Sequence, residues 1–319
     1  MRLLFLLLLV ITLPTRAAVI LLYHHVATDT PPSTTTTPKV FASHLQYLHD
    51  HGFHVVALAD AIAEAQGKTT LPPFSVAITF DDGYQDIADN AAPLLAKYGY
   101  PFTVFVNRDR LGHHGMMSLA TLKALPGVTF ANHTASHQHL TTLPLAQARQ
   151  SIVDGQLPGM QKWLAWPYGE YSPALEKLAQ QLGYVAFGQQ SGASGSYASL
   201  TALPRFPAAG RYANLETLTT KLRSLAMPLT SSDTNMVQTG ELSPALTLTI
   251  HDQDVRMDRF ACYFLGNRVD IHINGETVTL PPIELPPGRS RVNCTALSRS
   301  QPHRYYWWSQ PWLSGQPLD

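Results

Sequence analysis

Residues 75–83 read Ser-Val-Ala-Ile-Thr-Phe-Asp-Asp-Gly, an apolar run that ends in two carboxylates and a glycine. The first six residues are mostly apolar or β-branched, which predicts a buried strand. Gly83 allows a sharp turn directly after two carboxylates. Because neighbouring side chains at a strand end point in different directions, Asp81 and Asp82 are suited to different tasks, one at a metal ion and one facing a substrate. The alternative is an Asx turn that only closes the strand.

Strand and helix patterns alternate on both sides of this segment, from Val19 to about Arg223. Such alternation predicts an α/β fold with a parallel sheet or barrel, in which functional groups gather at the carboxyl ends of the strands. The strand patterns cover 19–23, 75–80, 101–106, 128–131, 165–166 and 184–187. The helical patterns cover 41–48, 90–97, 145–163 (interrupted by Gly155 and Pro158) and 173–182.

A second polar segment, Asn132-His-Thr-Ala-Ser-His137, follows the strand pattern 128–131. Two histidines four residues apart lie on one face if the segment is helical, where they can share a metal with a carboxylate. Three protein ligands plus a water form the open coordination of a catalytic zinc. The histidine pair is weak evidence alone. His139 falls outside the spacing and is predicted to support the site or lie at the surface.

The third segment, residues 165–171, reads Ala-Trp-Pro-Tyr-Gly-Glu-Tyr. It predicts a strand that runs into a Pro–Gly turn flanked by aromatic residues. A backbone N–H exposed at such a turn can stabilise an oxyanion. The alternative is an ordinary strand-to-helix turn with its aromatic side chains in the core.

Taken together, TFDDG (79–83), HTASH (133–137) and WPYG (166–169) resemble the first three motifs of the polysaccharide deacetylase family, also called the NodB-homology domain or carbohydrate esterase family 4. The resemblance covers roughly residues 19–211. Leu22-Tyr-His-His-Val26 is similar to a segment of the branch that acts on poly-N-acetylglucosamine. The family implies a distorted (β/α) barrel of about seven strands and removal of N- or O-acetyl groups from carbohydrate.

Carried onto this sequence, the resemblance implies that Asp82, His133 and His137 are metal ligands and that Asp81 is the general base. It also implies that the main-chain N–H of Tyr168 is an oxyanion donor. A metal at such a site lowers the pKa of bound water and polarises an acetyl carbonyl. Zn²⁺ suits two imidazoles and one carboxylate, and cobalt, nickel or iron also fits.

Two positions depart from the family pattern. Ala165 stands where many members place an arginine that orients the base, and no leucine–histidine motif for a general acid occurs between Gly183 and Met227. Arg205 is predicted to orient Asp81 in place of the absent arginine. The alternative for Arg205 is an ordinary ion pair.

The general acid is therefore unassigned from sequence. His24 and His25 follow the first strand and are the candidate proton donors. His24, Tyr84 and Trp166 are predicted to bind substrate.

Length, composition and the N-terminal segment restrict the class of protein and its cellular compartment. The 319 residues are 45% hydrophobic and 14% charged with zero formal net charge, so a sizeable core is expected and a nucleic-acid binder is not. Residues 1–17 predict a cleaved secretory signal, with an uncleaved anchor as the alternative. No later segment is apolar enough to span a membrane. The protein is therefore expected to be secreted or periplasmic.

The composition changes after the predicted catalytic domain, residues 18–226. Residues 227–240 are rich in Pro, Ser, Thr and Asn and predict a linker, and residues 241–319 predict a small antiparallel β domain. Cys262 and Cys294 are expected to form a disulfide after export, with two buried thiols as the alternative. The aromatic run 305–312 predicts core or interdomain packing, with a glycan-binding surface as the alternative.

The sequence therefore predicts a metal-dependent hydrolase that removes N-acetyl groups from an N-acetylglucosamine polymer. Two alternatives stay open: an O-acetyl esterase acting on acetylated glycans, and an inactive deacetylase scaffold that binds glycans. The expected partner is the polysaccharide, and the oligomeric state is not predicted.

Overall fold

A computed structural model describes residues 17–315, and the predicted signal segment lies almost wholly outside this range. Seven parallel strands form the central sheet in the order β10-β1-β5-β6-β7-β8-β9, with β4 added beside the start of β5. The strands up to residue 207 are β1 Val19–Tyr23, β2 His25–Val26, β3 Thr35–Thr36, β4 His54–Val55, β5 Ser75–Phe80, β6 Phe102–Val106, β7 Val128–Asn132, β8 Gln161–Ala165, β9 Val185–Phe187 and β10 Phe206–Pro207.

Residues 203–208, which contain β10, connect β1 to β9 at the other end of the sheet. The Leu203 N–H donates to the Ala186 carbonyl in β9, and the Ala208 N–H donates to the Leu22 carbonyl in β1. Because one segment hydrogen-bonds to both of these strands, the sheet curls round onto itself. The predicted distorted (β/α) barrel is confirmed, and Arg205 lies at its closing seam.

Helices cover the outer face of the barrel. In α1, Thr37 caps the first turn through Val40 N–H and Pro38 occupies the first helical position. Phe41, Leu45 and Leu48, which lie in the predicted helix 41–48, are buried. The helices are α1 Pro38–Asp50, α2 Leu58–Ala65, α3 Ala92–Tyr98 (preceded by a π-helical turn, Ile87–Ala91), α4 Leu119–Ala124, α5 Leu145–Gly155, α6 Pro173–Gln181 and α7 Leu215–Leu222.

The predicted helix over 145–163 is wrong in its second half. Helix α5 ends at Gly155, and Trp163 lies in β8, which begins at Gln161. Pro158 and Gly159, the latter with a φ of 89°, turn the chain between the two elements. The apolar residues after the turn belong to a strand, although their spacing fits either structure.

Inside the curled sheet, one buried side chain from each main strand contributes to a single cluster: Ile20, Ala77, Phe105, Ala131, Ala165 and Phe187. The opposite faces of the first strands pack against α1, α3 and α7 in a larger cluster. Both faces of a parallel sheet are buried in this way, which explains the near-continuous apolar runs in the sequence.

Two further sheets follow the barrel, mostly antiparallel, with orders β11-β20-β19-β15-β16 and β12-β14-β18-β17. Their strands are β11 Ser224–Ala226, β12 Leu229–Ser231, β13 Val237–Gln238, β14 Leu246–Ile250, β15 Ala261–Phe264, β16 Asn267–Arg268, β17 His272–Asn274, β18 Thr277–Leu280, β19 Gly288–Leu297 and β20 Tyr305–Ser314. Cys262 and Cys294 face each other across β15 and β19 and form a disulfide.

Residues 227–240 differ from the predicted linker. They contain β12, which pairs with β14, and β13, which runs parallel to β20. Polar composition suggested a loop, but these short strands obtain their backbone partners from residues far along the chain. The boundaries proposed for the two domains remain a prediction.

The aromatic side chains of residues 305–312 mainly pack in the C-terminal core and against the barrel. Tyr306 and Trp312 are buried in the core of the C-terminal sheets, and Trp307 packs edge-on against Phe206 of the barrel. These contacts favour the core and seam interpretation over an exposed row of sugar-stacking rings. No helix within residues 17–315 is long and apolar enough to cross a membrane.

Candidate metal and catalytic site

The two carboxylates after β5 point to different partners. Asp81 continues the strand, donating its N–H to the Tyr23 carbonyl at 3.0 Å. Asp82 has a φ of 72° and Gly83 a φ of 83°, so the backbone turns sharply between the carboxylates. A Cβ at Gly83 would lie 2.8 Å from Val106, which requires glycine there. The sequence prediction that the two side chains diverge is confirmed.

The two histidines come from an irregular loop after β7, and the helical arrangement considered from sequence is wrong. Thr134 and His137 both have positive φ, 70° and 58°. Asn132 Oδ1 accepts the Thr134 N–H at 2.7 Å, Thr134 Oγ1 accepts the His137 N–H at 3.2 Å, and Asn107 Nδ2 donates to the His133 carbonyl. Local side-chain hydrogen bonds thus replace a helix in fixing the loop.

Asp82, His133 and His137 converge in space. Asp82 Oδ1 lies 3.4 Å from Nε2 of His133 and 3.4 Å from Nε2 of His137. The potential ligand atoms of all three residues lie within 4.8 Å of one another. Asp82 and His133 are buried, and His137 is nearly so. The convergence expected from the sequence is therefore present.

The chemistry of these donors fits a divalent transition metal. His133 Nδ1 lies 2.7 Å from the Ala165 carbonyl, which can only accept, so Nδ1 carries the proton and the Nε2 lone pair faces Asp82. Asp82 Oδ1 is buried without a hydrogen-bond partner in the described structure. Tetrahedral ligands at zinc-like bond lengths stand about 3.3–3.4 Å apart, which matches the two nitrogen–oxygen separations from Asp82.

Asp81 forms a buried two-pronged ion pair with Arg205. Nη1 and Nη2 of Arg205 each donate to one Asp81 oxygen at 2.7 Å, and Nε donates to the Gly188 carbonyl at 2.9 Å. Both side chains are fully buried. Burial alone would raise the pKa of Asp81, but the charges of Arg205 and His133 hold that pKa below its ordinary value. The predicted contact between Arg205 and Asp81 is confirmed.

Tyr168 has a φ of 57° at the centre of the turn after β8. Its ring stacks on His139 with centroids 3.7 Å apart and contacts His137 at 4.4 Å. The predicted oxyanion donor therefore belongs to a residue that touches a candidate metal ligand. His139, placed outside the ligand set from sequence, supports the site from behind Tyr168.

Of the three residues predicted to bind substrate, two border the site and one is buried away from it. His24 is partly buried, and its pKa is lowered by burial although the Asp82 and Asp81 charges oppose this. Tyr84 is half-buried, and burial followed by the Asp82 charge raises its pKa. Both therefore border the site. Trp166 is fully buried and donates to the Thr201 carbonyl at 2.8 Å, so the expectation that it binds substrate is wrong.

His25 is less suited than His24 to donate a proton at the site. Its Nδ1 is 2.6 Å from Asp86, and its ring stacks on Tyr84 with centroids 3.6 Å apart. The structure places His25 in a supporting contact with Tyr84, and His24 within electrostatic range of Asp81 and Asp82.

Sequence reasoning missed two neighbours of the third motif. Glu170 is buried, with Oε2 2.7 Å from His139 Nδ1, and Arg289 of β19 reaches the same carboxylate. A glutamate directly after the WPYG turn was a signal available in the sequence, although its burial was not. Arg289 lies more than a hundred residues away, and no pattern connects it to the motif.

Comparison with known proteins agrees with this geometry. Residues 68–187 match the family model described as polysaccharide deacetylase. This segment belongs to the polysaccharide deacetylase family. YxkH of Bacillus subtilis (strain 168) is 28% identical over 154 residues, covering 46% of this chain and 55% of that protein. The poly-beta-1,6-N-acetyl-D-glucosamine N-deacetylase of Staphylococcus epidermidis is 31% identical over 171 residues, covering 46% and 59% respectively.

Among solved structures, the Streptococcus pyogenes deacetylase PplD, in complex with acetate, aligns with a TM-score of 0.60 at 22% identity. The alignment covers 65% of this chain and 99% of that chain. IcaB from Ammonifex degensii aligns with a TM-score of 0.59 at 22% identity, covering 65% and 97%. These alignments support the fold. This chain spans less than two thirds of the length of the curated relatives it matches.

Proposed function

We propose that this protein is a metal-dependent hydrolase that removes N-acetyl groups from an N-acetylglucosamine-containing polysaccharide. One observation carries the proposal: a single Asp82 oxygen is equidistant from two histidine nitrogens, next to a second carboxylate, Asp81, held by Arg205. The first group provides a metal site, and the second provides a base that stays ionised. This pairing is what metal-assisted amide hydrolysis requires.

The polymer is proposed from the relatives. The printed name of the Staphylococcus epidermidis protein specifies poly-β-1,6-N-acetylglucosamine, and a structure with a TM-score of 0.53 is described as a de-N-acetylase. The segment Leu22–Val26 favours the same branch. An N-acetylglucosamine polymer of this kind is therefore the first substrate to test.

Asp82, His133 and His137 would hold the metal, with zinc as first choice and cobalt, nickel or iron as alternatives. When bound, the metal supplies Lewis acidity toward the acetyl carbonyl and acidifies a water. The Asp81 carboxylate accepts the proton from the attacking water, and Arg205 keeps that carboxylate charged and oriented. The Tyr168 N–H faces the oxygen on which negative charge develops.

The leaving amine requires a proton. His24 is our proposed donor, because it borders both carboxylates while His25 is held by Asp86. A His24→Ala variant is expected to lose activity with its metal content unchanged. Full turnover with an unchanged pH profile in His24→Ala would remove His24 from the mechanism.

We also propose that the protein is exported, to the periplasm or outside the cell. The Cys262–Cys294 disulfide supports this, because such bonds persist in oxidising compartments. Fractionation of cells that produce the full chain, with N-terminal sequencing of the mature protein, tests both the compartment and the expected cleavage after Ala17. Retention of the intact chain in the cytoplasm contradicts it.

Acetate release from a panel of N-acetylated and O-acetylated glycans, with and without a chelator, tests the function. We expect release from N-acetylglucosamine oligomers, loss with chelator, and recovery on adding Zn²⁺. Asp82→Ala should lose the metal, whereas Asp81→Asn should keep the metal and lose turnover. Asp109→Ala removes an exposed carboxylate and serves as the matched control. Activity on O-acetylated glycans alone, or glycan binding without acetate release, would overturn the proposal.

A further inference from the structure

Arg289 brings the C-terminal β domain into contact with the proposed active site. It lies on β19, and its Nη1 donates to the Tyr168 carbonyl at 2.5 Å, across 121 residues of sequence. Its guanidinium carbon lies 5.7 Å from the centroid of the Tyr168 ring. Its Nε lies 3.8 Å from Glu170 Oε1. One side chain therefore contacts both the backbone and the ring of the residue proposed as oxyanion donor.

The Tyr168 ring has a second contact, with His139. The His139 ring stacks on the Tyr168 ring with an interplanar angle of 4°, and His139 Nδ1 lies 2.7 Å from Glu170 Oε2. The buried Glu170 carboxylate thus joins His139 and Arg289. The Tyr168 ring therefore contacts both an imidazole and a guanidinium, and these two groups share one carboxylate.

These contacts stabilise an unfavourable backbone conformation of Tyr168. Tyr168 has a φ of 57°, in the left-handed region, which costs a non-glycine residue about 1–2 kcal/mol. Such a conformation persists only where surrounding contacts fix it. Arg289 fixes the carbonyl that follows the Tyr168 α-carbon, and the ring contacts fix the side chain. The direction of the Tyr168 N–H depends on the same dihedral angles.

A second arginine of β19 supports the neighbouring loop. Arg291 Nη1 donates to the Gln189 carbonyl at 3.2 Å. A Cβ at Gly169 would lie 2.7 Å from the Gln189 side chain, so Gln189 packs directly against the turn that holds Tyr168. Since residues two apart on a strand share a face, β19 presents both guanidinium groups to the loops of the barrel.

We propose that Arg289 is a positioning residue of the deacetylation reaction, through which the C-terminal β domain fixes the Tyr168 backbone and completes the active site. The inference rests on the proposed function. It makes the C-terminal domain a part of the catalytic machinery, in addition to any role in binding glycan.

The test uses the full chain and three variants: Arg289→Ala, Arg289→Lys, and Arg259→Ala. Arg259 is an exposed arginine of the same domain and is the matched control. Acetate release from an N-acetylglucosamine oligomer gives kcat and KM, and mass spectrometry gives the bound metal. Losing an oxyanion donor costs roughly 100- to 1,000-fold in kcat, so misplacing it should cost at least about tenfold.

For Arg289→Ala we expect kcat to be at least about tenfold lower than in the wild type. KM should stay within about twofold of the wild-type value, and the metal content and Tm should be unchanged, because the substrate and metal contacts remain. Arg289→Lys should recover part of kcat, since an ammonium can still donate to the Tyr168 carbonyl. Arg259→Ala should match the wild type. A kcat within twofold of wild type in Arg289→Ala overturns the proposal.

Amide hydrogen exchange separates this inference from the proposed function. The N–H groups of Gly169 and Glu170 donate to the carbonyls of Trp166 and Pro167, within the turn that Arg289 holds. We expect faster exchange at residues 168–170 in Arg289→Ala and wild-type exchange in Arg259→Ala. Unchanged exchange overturns the inference, whatever the activity. A wild-type protein inactive on every acetylated glycan overturns the proposed function, and exchange then decides whether Arg289 holds the turn.

Discussion

At the scale of single residues, the site depends on how buried charges are compensated. Asp81 and Arg205 are fully buried and satisfy each other through two hydrogen bonds. Leaving one member of a buried pair alone is costly, because an isolated charge in the interior has lost its hydration without gaining a partner. This makes the pair testable separately from the reaction.

Replacing Arg205 with methionine should strongly destabilise the fold, because the Asp81 carboxylate stays buried without its partner. We expect a loss of about 3–5 kcal/mol in the free energy of unfolding, measured by urea denaturation. The double variant Arg205→Met/Asp81→Asn should recover much of that loss, since no uncompensated charge remains. Equal stability of the single and double variants would show that the ion pair does not govern folding. Both variants should lack the acetate release that we propose for the wild type.

At the scale of secondary-structure elements, buried polar contacts decide how helices sit on the barrel. His44 of α1 accepts the Tyr23 hydroxyl of β1 at Nδ1, 3.0 Å away, and donates from Nε2 to the Ala213 carbonyl at 2.8 Å. These contacts suit the neutral ring. Burial, reinforced by the charge of Lys221 and partly offset by the Ala213 bond, lowers the pKa of His44 to about 4.

Protonation of His44 should therefore lower the free energy of unfolding as the pH decreases. A pKa lower in the folded protein than the ordinary 6.5 means that the unfolded chain binds the proton first as pH falls. The contribution is fully present above pH 6.5 and is lost progressively down to pH 4, on the order of 3 kcal/mol in all. His44→Gln can retain the Ala213 bond without titrating.

The stability difference between wild type and His44→Gln should shrink as pH falls from 7 to 4, as measured by denaturant unfolding at each pH. His49→Gln changes an exposed histidine of the same helix and is the control. A difference that stays constant with pH would contradict the assignment to His44.

Helix α5 also positions the histidine loop. A Cβ at Gly155 would lie 2.5 Å from the carbonyl carbon of Thr134, and Asn132 Nδ2 donates to the Ile152 carbonyl at 2.8 Å. Gly155→Ala should therefore push the loop away from Asp82. We expect a destabilisation of about 1–3 kcal/mol together with weaker metal binding, measured by metal titration. Gly240→Ala is the control, because its Cβ would come no closer than 3.9 Å to the Leu242 backbone. Wild-type metal affinity in Gly155→Ala would exclude the packing argument.

At the scale of the whole molecule, the C-terminal sheets are tied to the barrel by backbone and side chains. Strands β11 and β13, which lie in the segment after the barrel, both pair in parallel with β20. Trp307 of β20 packs on Phe206 of the barrel. Arg304 donates to the carbonyls of Arg223 and Ser224. The two parts are therefore built as one packed unit rather than as modules on a free linker.

The disulfide should stabilise this arrangement. Cys262 and Cys294 are 32 residues apart, and closing a loop of that size contributes about 3–4 kcal/mol on the chain-entropy model. Cys262→Ala/Cys294→Ala should lower Tm, and reductant should lower the Tm of the wild type but not of the double variant. If reductant leaves the wild type unchanged, the bond does not contribute to stability.

The alternation of strands and helices was readable from the sequence alone, because the hydrophobic period reflects local burial. The sequence also placed Asp81, Asp82 and the two histidines directly after strands, and parallel strands bring their carboxyl ends to one edge of the sheet. The choice of Asp82, His133 and His137 as a ligand set, and the contact of Arg205 with Asp81, came from the resemblance to the deacetylase family.

The other features depend on contacts between residues that are distant in sequence. The histidine loop is irregular because Asn132, Asn107 and Thr134 satisfy its backbone, although the His-x-x-x-His spacing also suited a helix. Residues 227–240 form strands because β14 and β20 supply partners from far along the chain. Arg289 reaches Tyr168 for the same reason: long-range contacts depend on how elements pack, and local composition does not encode that packing.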